Sequence, residues 1–480
     1  MNVDATQRQS MTGESSAAEK PGRTDIQLSE SEQIARFALG LTLDAVPPEV
    51  VTLAKEHLLD VIGIALASTQ FEFGRVVLDA ACALGSGSQA TAIGSGAALP
   101  ASSAALVNGV LAHGLDFDDT HIGAIYHASA QAMAAAFASG QANRSSGREV
   151  LLAFISALET GCRLATVGAG KLHARSFHPT ALCGTFAAAA AAGRLSGLGE
   201  AALTSALGLC GSMASGILVS EKSWLKRLHP GWAAHSGIAA VALGGAGFRG
   251  PATVLEGQRG FYAAHIESVP EGDALPSFEL GKHWQTLGIA LKPYPCCHFI
   301  HSFVDAALEL RGQFALEDIE RVECPLTGAL HKIVAEPRER CIRPAEPYAA
   351  LFSVQYVVSV ALAKGRVDLA TFYDEPLDAP DVLAIAARTH CIDDPQSDYP
   401  KHFPGEVIVT LKDGRVLRSR KAMSLGTPEV PLSREAIEAK FMSNATRAIG
   451  EDAARQVIEK IASLENAGSL DEIMALCTAK

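Results

Sequence analysis

The chain has 480 residues, 48% hydrophobic and 19% charged, which is a globular composition and excludes a chain that is disordered throughout. Its formal net charge is −12, so it has no overall attraction for nucleic acid or for an anionic membrane surface. A binding site for an anion would therefore have to be built locally, from clustered Lys, Arg and His side chains.

The length also exceeds what one ordinary hydrophobic core holds, so more than one domain is expected. Residues 1–27 are rich in Ser, Glu and Lys and lack an apolar signal core, and we predict a disordered tail there. The ten cysteines have no secretory leader ahead of them, which favours reduced thiols in a cytoplasmic protein.

Apolar periodicity predicts helix after helix over residues 28–265. Ser29 or Ser31 is placed to cap the first helix, and Pro48 suits the first turn of the second. The Ala-rich run 179–192 is too short to span a bilayer and predicts a buried helix, so no membrane partner is expected. Helices are predicted in particular at 103–113, 129–142, 148–166, 180–195, 201–218 and 233–243.

The pattern changes after Gly250. Residues 319–324 and 390–393 predict short strands, and residues 406–420 predict a hairpin, because apolar and polar side chains alternate there around the tight-turn pair Asp413-Gly414. Helices are predicted around these strands at 301–311 and 351–363, and again after Leu432.

The predicted fold class is mainly α with an α+β lid. A large all-helical domain is built from residues 28–265 and 426–480. A smaller α+β domain, residues 266–425, is inserted between its two parts.

The first segment of chemical interest joins two predicted helices. Three carboxylates and three imidazoles fall within fifteen residues, and they are unfavourable to bury without partners. One interpretation is a polar network that caps the next helix, and another is a metal site built from Asp and His. The members are His113, Asp116, Asp118, Asp119, His121 and His127.

Two further segments precede small-residue helices. His178, in Phe-His-Pro-Thr, stands where free helix N–H groups attract anions, although a core histidine is an equally good interpretation. Lys226, Arg227 and His229 come before the predicted helix 233–243. A substrate carboxylate would be a partner for a buried Lys226, and a solvated basic turn is the alternative.

The fourth segment begins Lys292-Pro-Tyr-Pro and leads into a predicted helix. His298 and His301 enter that helix at i and i+3, so they share a face and either could project into a cleft. Cys297 beside a histidine also suggests a thiol nucleophile, but no motif for stabilising an oxyanion accompanies it.

These four segments, in this order, resemble the MmgE/PrpD family, which includes 2-methylcitrate dehydratase, cis-aconitate decarboxylase and iminodisuccinate epimerase. The resemblance extends from Glu32 to Arg420 and to the C-terminal helices. It implies a cofactor-free and metal-free enzyme, usually a homodimer, that acts on a small polycarboxylate. It also implies a helical domain with an α+β lid.

The resemblance further implies the site residues. His127 and His301 are the candidates for proton transfer, and Lys226 and His178 for stabilising charge on a carboxylate. The predicted substrate-binding residues are Asp116, Thr120, His229 and Tyr356.

The reaction that this resemblance favours is elimination of water from a 2-methylcitrate-like acid by a hydro-lyase. Decarboxylation of a cis-aconitate-type acid and epimerisation of an iminodisuccinate-type acid are alternatives within the family. A metal-dependent enzyme that uses the loop from Asp116 to His127, and a non-enzymatic helical scaffold, are alternatives from other classes.

Overall fold

The structure, a computed structural model, describes residues 28–168, 170–219, 223–266, 279–399 and 401–479. The predicted disordered tail, residues 1–27, lies outside these ranges. Over the described residues the helices are α1 (Glu30–Gly40), α2 (Pro48–Ser68), α3 (Glu72–Leu84), α4 (Ala101–His113), α5 (Ser129–Ala142), α6 (Gly147–Gly168), α7 (Lys171–Ala174), α8 (Pro179–Leu195), α9 (Glu200–Met213), α10 (Leu225–Gly245), α11 (Phe261–His265), α12 (His301–Leu310), α13 (Gly328–Val334), α14 (Arg338–Ile342), α15 (Pro347–Ala350), α16 (Val354–Lys364), α17 (Leu369–Tyr373), α18 (Pro380–Arg388), α19 (Arg434–Ala445), α20 (Glu451–Ala462) and α21 (Asp471–Leu476). The strands are β1 (Ala90–Thr91), β2 (Ala98–Leu99), β3 (Thr120–His121), β4 (Ile289–Ala290), β5 (Ile319–Leu326), β6 (Thr389–Asp393), β7 (Gly405–Leu411) and β8 (Val416–Lys421).

The predicted class, mainly helical with a small α+β part, is confirmed. The first two helix starts follow the sequence signals. Ser29 and Glu32 form a reciprocal capping box at α1, and Pro48 occupies the first turn of α2.

Small side chains allow the central helices to pack closely. Helix α10 packs against α4, α8 and α9, and α8 packs against α5 and α6. Helix α8 contains the predicted Ala-rich run and is buried almost throughout. Helix α6 is long and apolar enough to cross a membrane, but 94% of its apolar window is buried inside the protein, as in a core helix.

Two helix boundaries differ most from the prediction. Helix α9 ends at Met213 rather than at 218, and α10 begins at Leu225 rather than at 233. A proline usually marks a helix boundary, but Pro230 lies inside α10, so the start of α10 was predicted too late in the sequence. Arg227 holds the first turn in place, since its Nε donates to the Gly114 carbonyl at 2.8 Å. The basic segment is therefore a helix start and not a loop.

The predicted strands all form, within a four-stranded sheet of order β6-β5-β7-β8. Strands β5 and β6 are parallel, whereas β5–β7 and β7–β8 are antiparallel. The predicted hairpin is β7–β8, and Gly414 in its turn has a φ of +88°. Alternate residues of β7 are buried, because helices α12, α16 and α18 pack against the sheet.

Two large hydrophobic cores result among the described residues, with a third, small cluster that includes Phe73 and Phe117. The larger joins helices α1–α11 to α19–α21, so the end of the described chain packs back on its beginning. The smaller contains buried residues between Cys296 and Leu411. Strand β3 pairs with β4, with Thr120 opposite Ala290, and so ties the acidic loop to the segment that enters the second core.

The α4–α10 crossing provides a test of close packing. A Cβ added at Gly109 would lie 2.7 Å from the Gly231 Cα, which the two backbones cannot relieve. We predict that Gly109→Ala lowers the free energy of unfolding by about 1–3 kcal/mol in urea denaturation. Gly40→Ala is the matched control, because no atom lies within 4 Å of its added Cβ. Equal stabilities for the two variants would contradict the packing described.

Candidate active site

A cavity of about 1020 Å³ lies where the two cores meet. It is lined from the helical side by residues of the acidic loop, the Phe-His-Pro-Thr segment and the start of α10. The lid side contributes residues from α13 to α15 and nearby loops. Five of the eight predicted site residues line this cavity, namely Asp116, Thr120, His127, His178 and Lys226.

The centre of the site is Asp116 between two lysines. Its Oδ1 lies 2.8 Å from the Lys226 Nζ and 3.3 Å from the Lys292 Nζ. Lys292 also donates to the Asp116 carbonyl at 2.8 Å, and Asp116 itself has a φ of +53°. Two ammonium groups thus share one carboxylate, which leaves the cluster with a net positive charge facing the cavity.

Burial would raise the pKa of Asp116, but the ammonium groups of Lys226 and Lys292 outweigh it and hold that pKa below its usual range. Burial likewise works to lower the pKa of Lys226, and Asp116 reverses the effect, so the pKa is raised. Asp116 and Lys226 therefore remain charged near neutral pH.

The remaining carboxylates of the loop face inward. Asp118 pairs with the His113 Nδ1 at 2.9 Å. Asp119 accepts hydrogen bonds from the Ala128 and Ser129 N–H groups, both at 3.1 Å, at the start of α5. The polar capping network is thus present at Asp119, while Asp116 alone of the three carboxylates lines the cavity.

His127 is held in one tautomer. Its Nδ1 lies 2.9 Å from the Asp119 carbonyl oxygen, which only accepts, so Nδ1 carries the hydrogen. The neutral ring then has its lone pair on Nε2, 3.8 Å from the Asp116 Oδ1. Burial lowers the pKa of His127 to about 4 despite the nearby Asp118. His127 is therefore a neutral hydrogen-bond acceptor, or base, in the ligand-free protein.

His178 and His229 form a hydrogen-bonded pair, with their Nδ1 atoms 2.8 Å apart. One ring must donate and the other accept, so the two cannot both be doubly protonated. Burial lowers the pKa of both rings, that of His229 to about 4. His178 lines the cavity, whereas His229, predicted to bind substrate, lies behind it and orients it.

His301 and Tyr356 do not line the cavity, contrary to their predicted placement. The His301 Nε2 lies 3.2 Å from the Cys296 carbonyl oxygen, beneath His298. The two rings do share a face, with centroids 4.8 Å apart, but His298 is the one that reaches the cavity.

Tyr356 is buried in the smaller core, where its hydroxyl donates to the Leu377 carbonyl at 3.1 Å. The Ser353 cap fixes the start of α16, and this register directs Tyr356 into the lid. Tyr348 lines the cavity instead.

Several cavity residues had no role assigned from sequence. Lys292 could have been predicted as a site residue, because a lysine inside an apolar stretch is rarely buried without a partner. Tyr348 and His298 had no signal that distinguished them from neighbouring tyrosine and histidine residues. Cys297 also lines the cavity, but burial raises its pKa to about 11, so it is a thiol and not the thiolate that a nucleophile requires.

Side-chain donors suitable for a metal do cluster here. His113, His127 and His178 each offer a ligand atom within 4.8 Å of the others, and so do His113, Asp116, Asp118 and His127. Asp116, however, already pairs with two ammonium groups, and Asp118 with His113. A metal ion would add positive charge beside two lysines, so the donor set fits an anion better than a cation.

Lys440, from α19, supports the acidic loop from below. Its Nζ lies 2.6 Å from the Asp60 Oδ1 and donates to the Phe117 carbonyl at 3.0 Å. The same ammonium lies 3.8 Å from the centre of the Phe117 ring. The residue after Asp116 is thus fixed by a helix more than 300 positions away in sequence.

The buried imidazoles predict acid lability. Burial lowers the pKa of His127 and His229 to about 4 and that of His298 to about 3, against about 6.5 in an unfolded chain. Between these pH values the unfolded state binds more protons than the folded state. The contribution of these histidines to stability is therefore complete above about pH 6.5 and falls as pH decreases toward 4. We expect a lower Tm at pH 5 than at pH 7 in calorimetry.

Five carboxyls among the described residues act in the opposite direction, because burial raises their pKa, that of Glu30 to about 7 and that of Asp60 to about 6. Among the same residues, the eight imidazoles whose pKa is lowered outnumber them. His298→Asn should reduce the dependence of Tm on pH, whereas His283→Asn, at an exposed ring, should leave it unchanged. A Tm that is equal or higher at pH 5 would refute this account.

Comparison with known proteins agrees with this architecture. Residues 32–271 match the model of the MmgE/PrpD N-terminal domain, and residues 294–466 match that of the C-terminal domain. Human cis-aconitate decarboxylase is 29% identical over 91% of this chain and 92% of its own length. Cis-aconitate decarboxylase of Aspergillus terreus is 26% identical over 93% of this chain and 95% of its own.

2-Methylcitrate dehydratase of Cupriavidus necator is 28% identical over only 26% of this chain and 27% of its own length. Decarboxylation and dehydration are both lyase reactions, and the predicted enzyme class is thereby confirmed. The chain belongs to the MmgE/PrpD family.

Proposed function

We propose that this lyase removes carbon dioxide from cis-aconitate or a closely similar unsaturated tricarboxylate. The observation that carries the proposal is the buried cluster in which Lys226 and Lys292 share Asp116 at the wall of the cavity. Relatives named cis-aconitate decarboxylase match nearly the whole chain, whereas the match to a dehydratase covers about a quarter of it. Decarboxylation therefore replaces dehydration as the favoured reaction.

The charge on the cavity wall suits a trianion. Among the described residues that line it, five are cationic and two are carboxylates, and burial lowers the pKa of the lining histidines so that they are neutral. The lining thus carries a net charge of +3 in a chain whose formal charge is −12. A ligand with three carboxylates would neutralise that charge.

The proposed step breaks one carbon–carbon bond. The bond between a CH₂ carbon and its carboxylate breaks, and its electron pair forms a new terminal double bond. The pair of the original double bond moves to the carbon beside a remaining carboxylate, and carbon dioxide leaves. That carbon then takes up one proton, which yields an unsaturated dicarboxylate.

Lys226 and Lys292 supply the electrostatic part of this step. Negative charge grows on the carboxylate next to the developing carbanion, and ammonium groups fixed in a buried site stabilise it more than in water. Asp116 raises the pKa of Lys226 and holds both lysines in place before substrate arrives. The Thr120 hydroxyl has no hydrogen-bond partner among the described residues and would donate to a substrate carboxylate.

His127 supplies the proton. Its Nε2 is unprotonated in the free protein, but a bound tricarboxylate places negative charge beside the ring and raises its pKa. The imidazolium then transfers its Nε2 proton to the carbanion and regains a proton from water.

The same neutral His127 would be a base for removal of a proton next to a carboxylate, the step that dehydration of a 2-methylcitrate-like acid requires. Dehydration is therefore the second candidate. The two differ in product, since one releases carbon dioxide and the other water.

The test is to incubate the purified full-length protein with ¹³C-labelled cis-aconitate, 2-methylcitrate and iminodisuccinate in turn and to follow products by NMR and mass spectrometry. We expect ¹³CO₂ and a dicarboxylate with a terminal methylene from cis-aconitate. Water loss from 2-methylcitrate, or inversion of iminodisuccinate, with no carbon dioxide from cis-aconitate would overturn the proposal.

The lysine cluster gives a direct prediction. Lys226→Met and Lys292→Met should each lower kcat/KM by about 10²- to 10³-fold, because each removes an ammonium group from the developing charge. Lys412→Met, at an exposed position outside the cavity, is the matched control and should retain full activity. Full activity in either cavity variant, with its fold verified by circular dichroism, would remove the cluster from the mechanism.

The metal-dependent alternative has its own test. We expect dialysis against EDTA to leave turnover unchanged, because Asp116, which lines the cavity, already pairs with two lysines and Asp118 pairs with His113. Activity that is lost on dialysis and restored by one particular divalent metal would support the metal site instead.

A further inference from the structure

The cavity is larger than the proposed substrate needs. Its volume of about 1020 Å³ is at the upper limit of the range of about 300–1,000 Å³ that drug-sized ligands occupy, and a tricarboxylate is smaller than such a ligand. The Lys226–Asp116–Lys292 cluster lies on the helical side, so the opposite, lid side has room for other contacts.

Three cations lie on that lid side. Lys332 is in α13, Arg340 is in α14, and Arg343 follows α14; all three are exposed and line the cavity. Their side chains make no ion pair or hydrogen bond to any part of the chain that the structure describes. Glu346 is the acidic residue that lines the cavity beside them. The lid side thus contributes a net charge of +2.

A neighbouring arginine shows the contrast. Arg338, also in α14, donates to the Ala387 and Thr389 carbonyls and so holds the lid together. Arg340 and Arg343 have no such structural contacts in the described residues. A guanidinium presents parallel N–H groups that match a carboxylate, and an arginine not used by the fold is free to bind one from solution.

We propose that Lys332, Arg340 and Arg343 form an outer subsite that binds the carboxylates of di- and tricarboxylate anions on the lid side of the cavity. The assignment of substrate class rests on the proposed function, but the binding does not require turnover. Because the three side chains are exposed, the subsite acts at longer range than the buried cluster, and salt weakens it. It draws a multivalent anion toward an opening in a protein whose overall charge repels it.

The test uses tricarballylate, a saturated tricarboxylate that has no double bond to accept the electron pair and so cannot decarboxylate by the proposed route. Its Kd is measured by calorimetry with the full-length protein at low and at physiological ionic strength. We expect Arg340→Gln/Arg343→Gln to raise the Kd about tenfold at low salt and to reduce its dependence on salt. Lys332→Gln should likewise raise the Kd at low salt and reduce its dependence on salt.

The matched control is Lys412→Gln/Arg415→Gln, which removes the same charge at the exposed β7–β8 turn, away from the cavity. It should leave the Kd within twofold of the wild-type value. An equal change in the control and cavity variants would show a general charge effect and overturn the subsite. No change in the cavity variants, or no binding by the wild-type protein, would overturn it as well.

The two proposals fail separately. If tricarballylate binding depends on Arg340 and Arg343 while cis-aconitate is not decarboxylated, the subsite stands and the reaction is wrong. If cis-aconitate is decarboxylated and the Arg340→Gln/Arg343→Gln variant binds tricarballylate normally, the reaction stands and the subsite is wrong. Thermal unfolding of each variant verifies that its fold is intact.

Discussion

The burial of Asp116 between Lys226 and Lys292 is the interaction on which the site depends. A single buried ammonium or carboxylate is strongly unfavourable, but two ammonium groups around one carboxylate leave a positive charge that the protein cannot neutralise from within. The strands β3 and β4 bring the two halves of this cluster together, since Asp116 precedes β3 and Lys292 follows β4. An incoming carboxylate supplies the missing negative charge.

The histidines around this cluster complete the same electrostatic arrangement. Burial and the nearby lysine lower the pKa of His127 and His178, so the site does not accumulate further positive charge while it is empty. The hydrogen bond from the His127 Nδ1 to the Asp119 carbonyl oxygen determines that Nε2 faces the cavity. In the proposed mechanism, binding of an anion favours protonation of His127. His127 is then neutral in the free protein and a proton donor in the complex.

The fold class and the hairpin were predictable from the sequence. The candidate residues Asp116 and His178, which lie near helix ends, were predicted to share a site, and both line the cavity. Prediction failed where tertiary packing decides between similar residues. Tyr348 and Tyr356 are separated by eight positions, and only the register of α16 shows that the second points into the lid. His298 and His301 share a face, but which ring lies outermost depends on how α12 packs. The start of α10 was not predicted, because a proline usually indicates a helix boundary and Pro230 lies inside this helix.

The contact of Lys440 with Asp60 and with the Phe117 carbonyl joins three distant parts of the chain beneath the acidic loop. These contacts form only when α19 packs on α2. The geometry of the acidic loop therefore depends on tertiary packing of the helical domain and not on the local sequence alone. A local opening that detaches α19 would release the backbone next to Asp116 while the cavity walls stay folded. A substitution far from the cavity that loosens α19 would therefore also disturb the acidic loop beside Asp116.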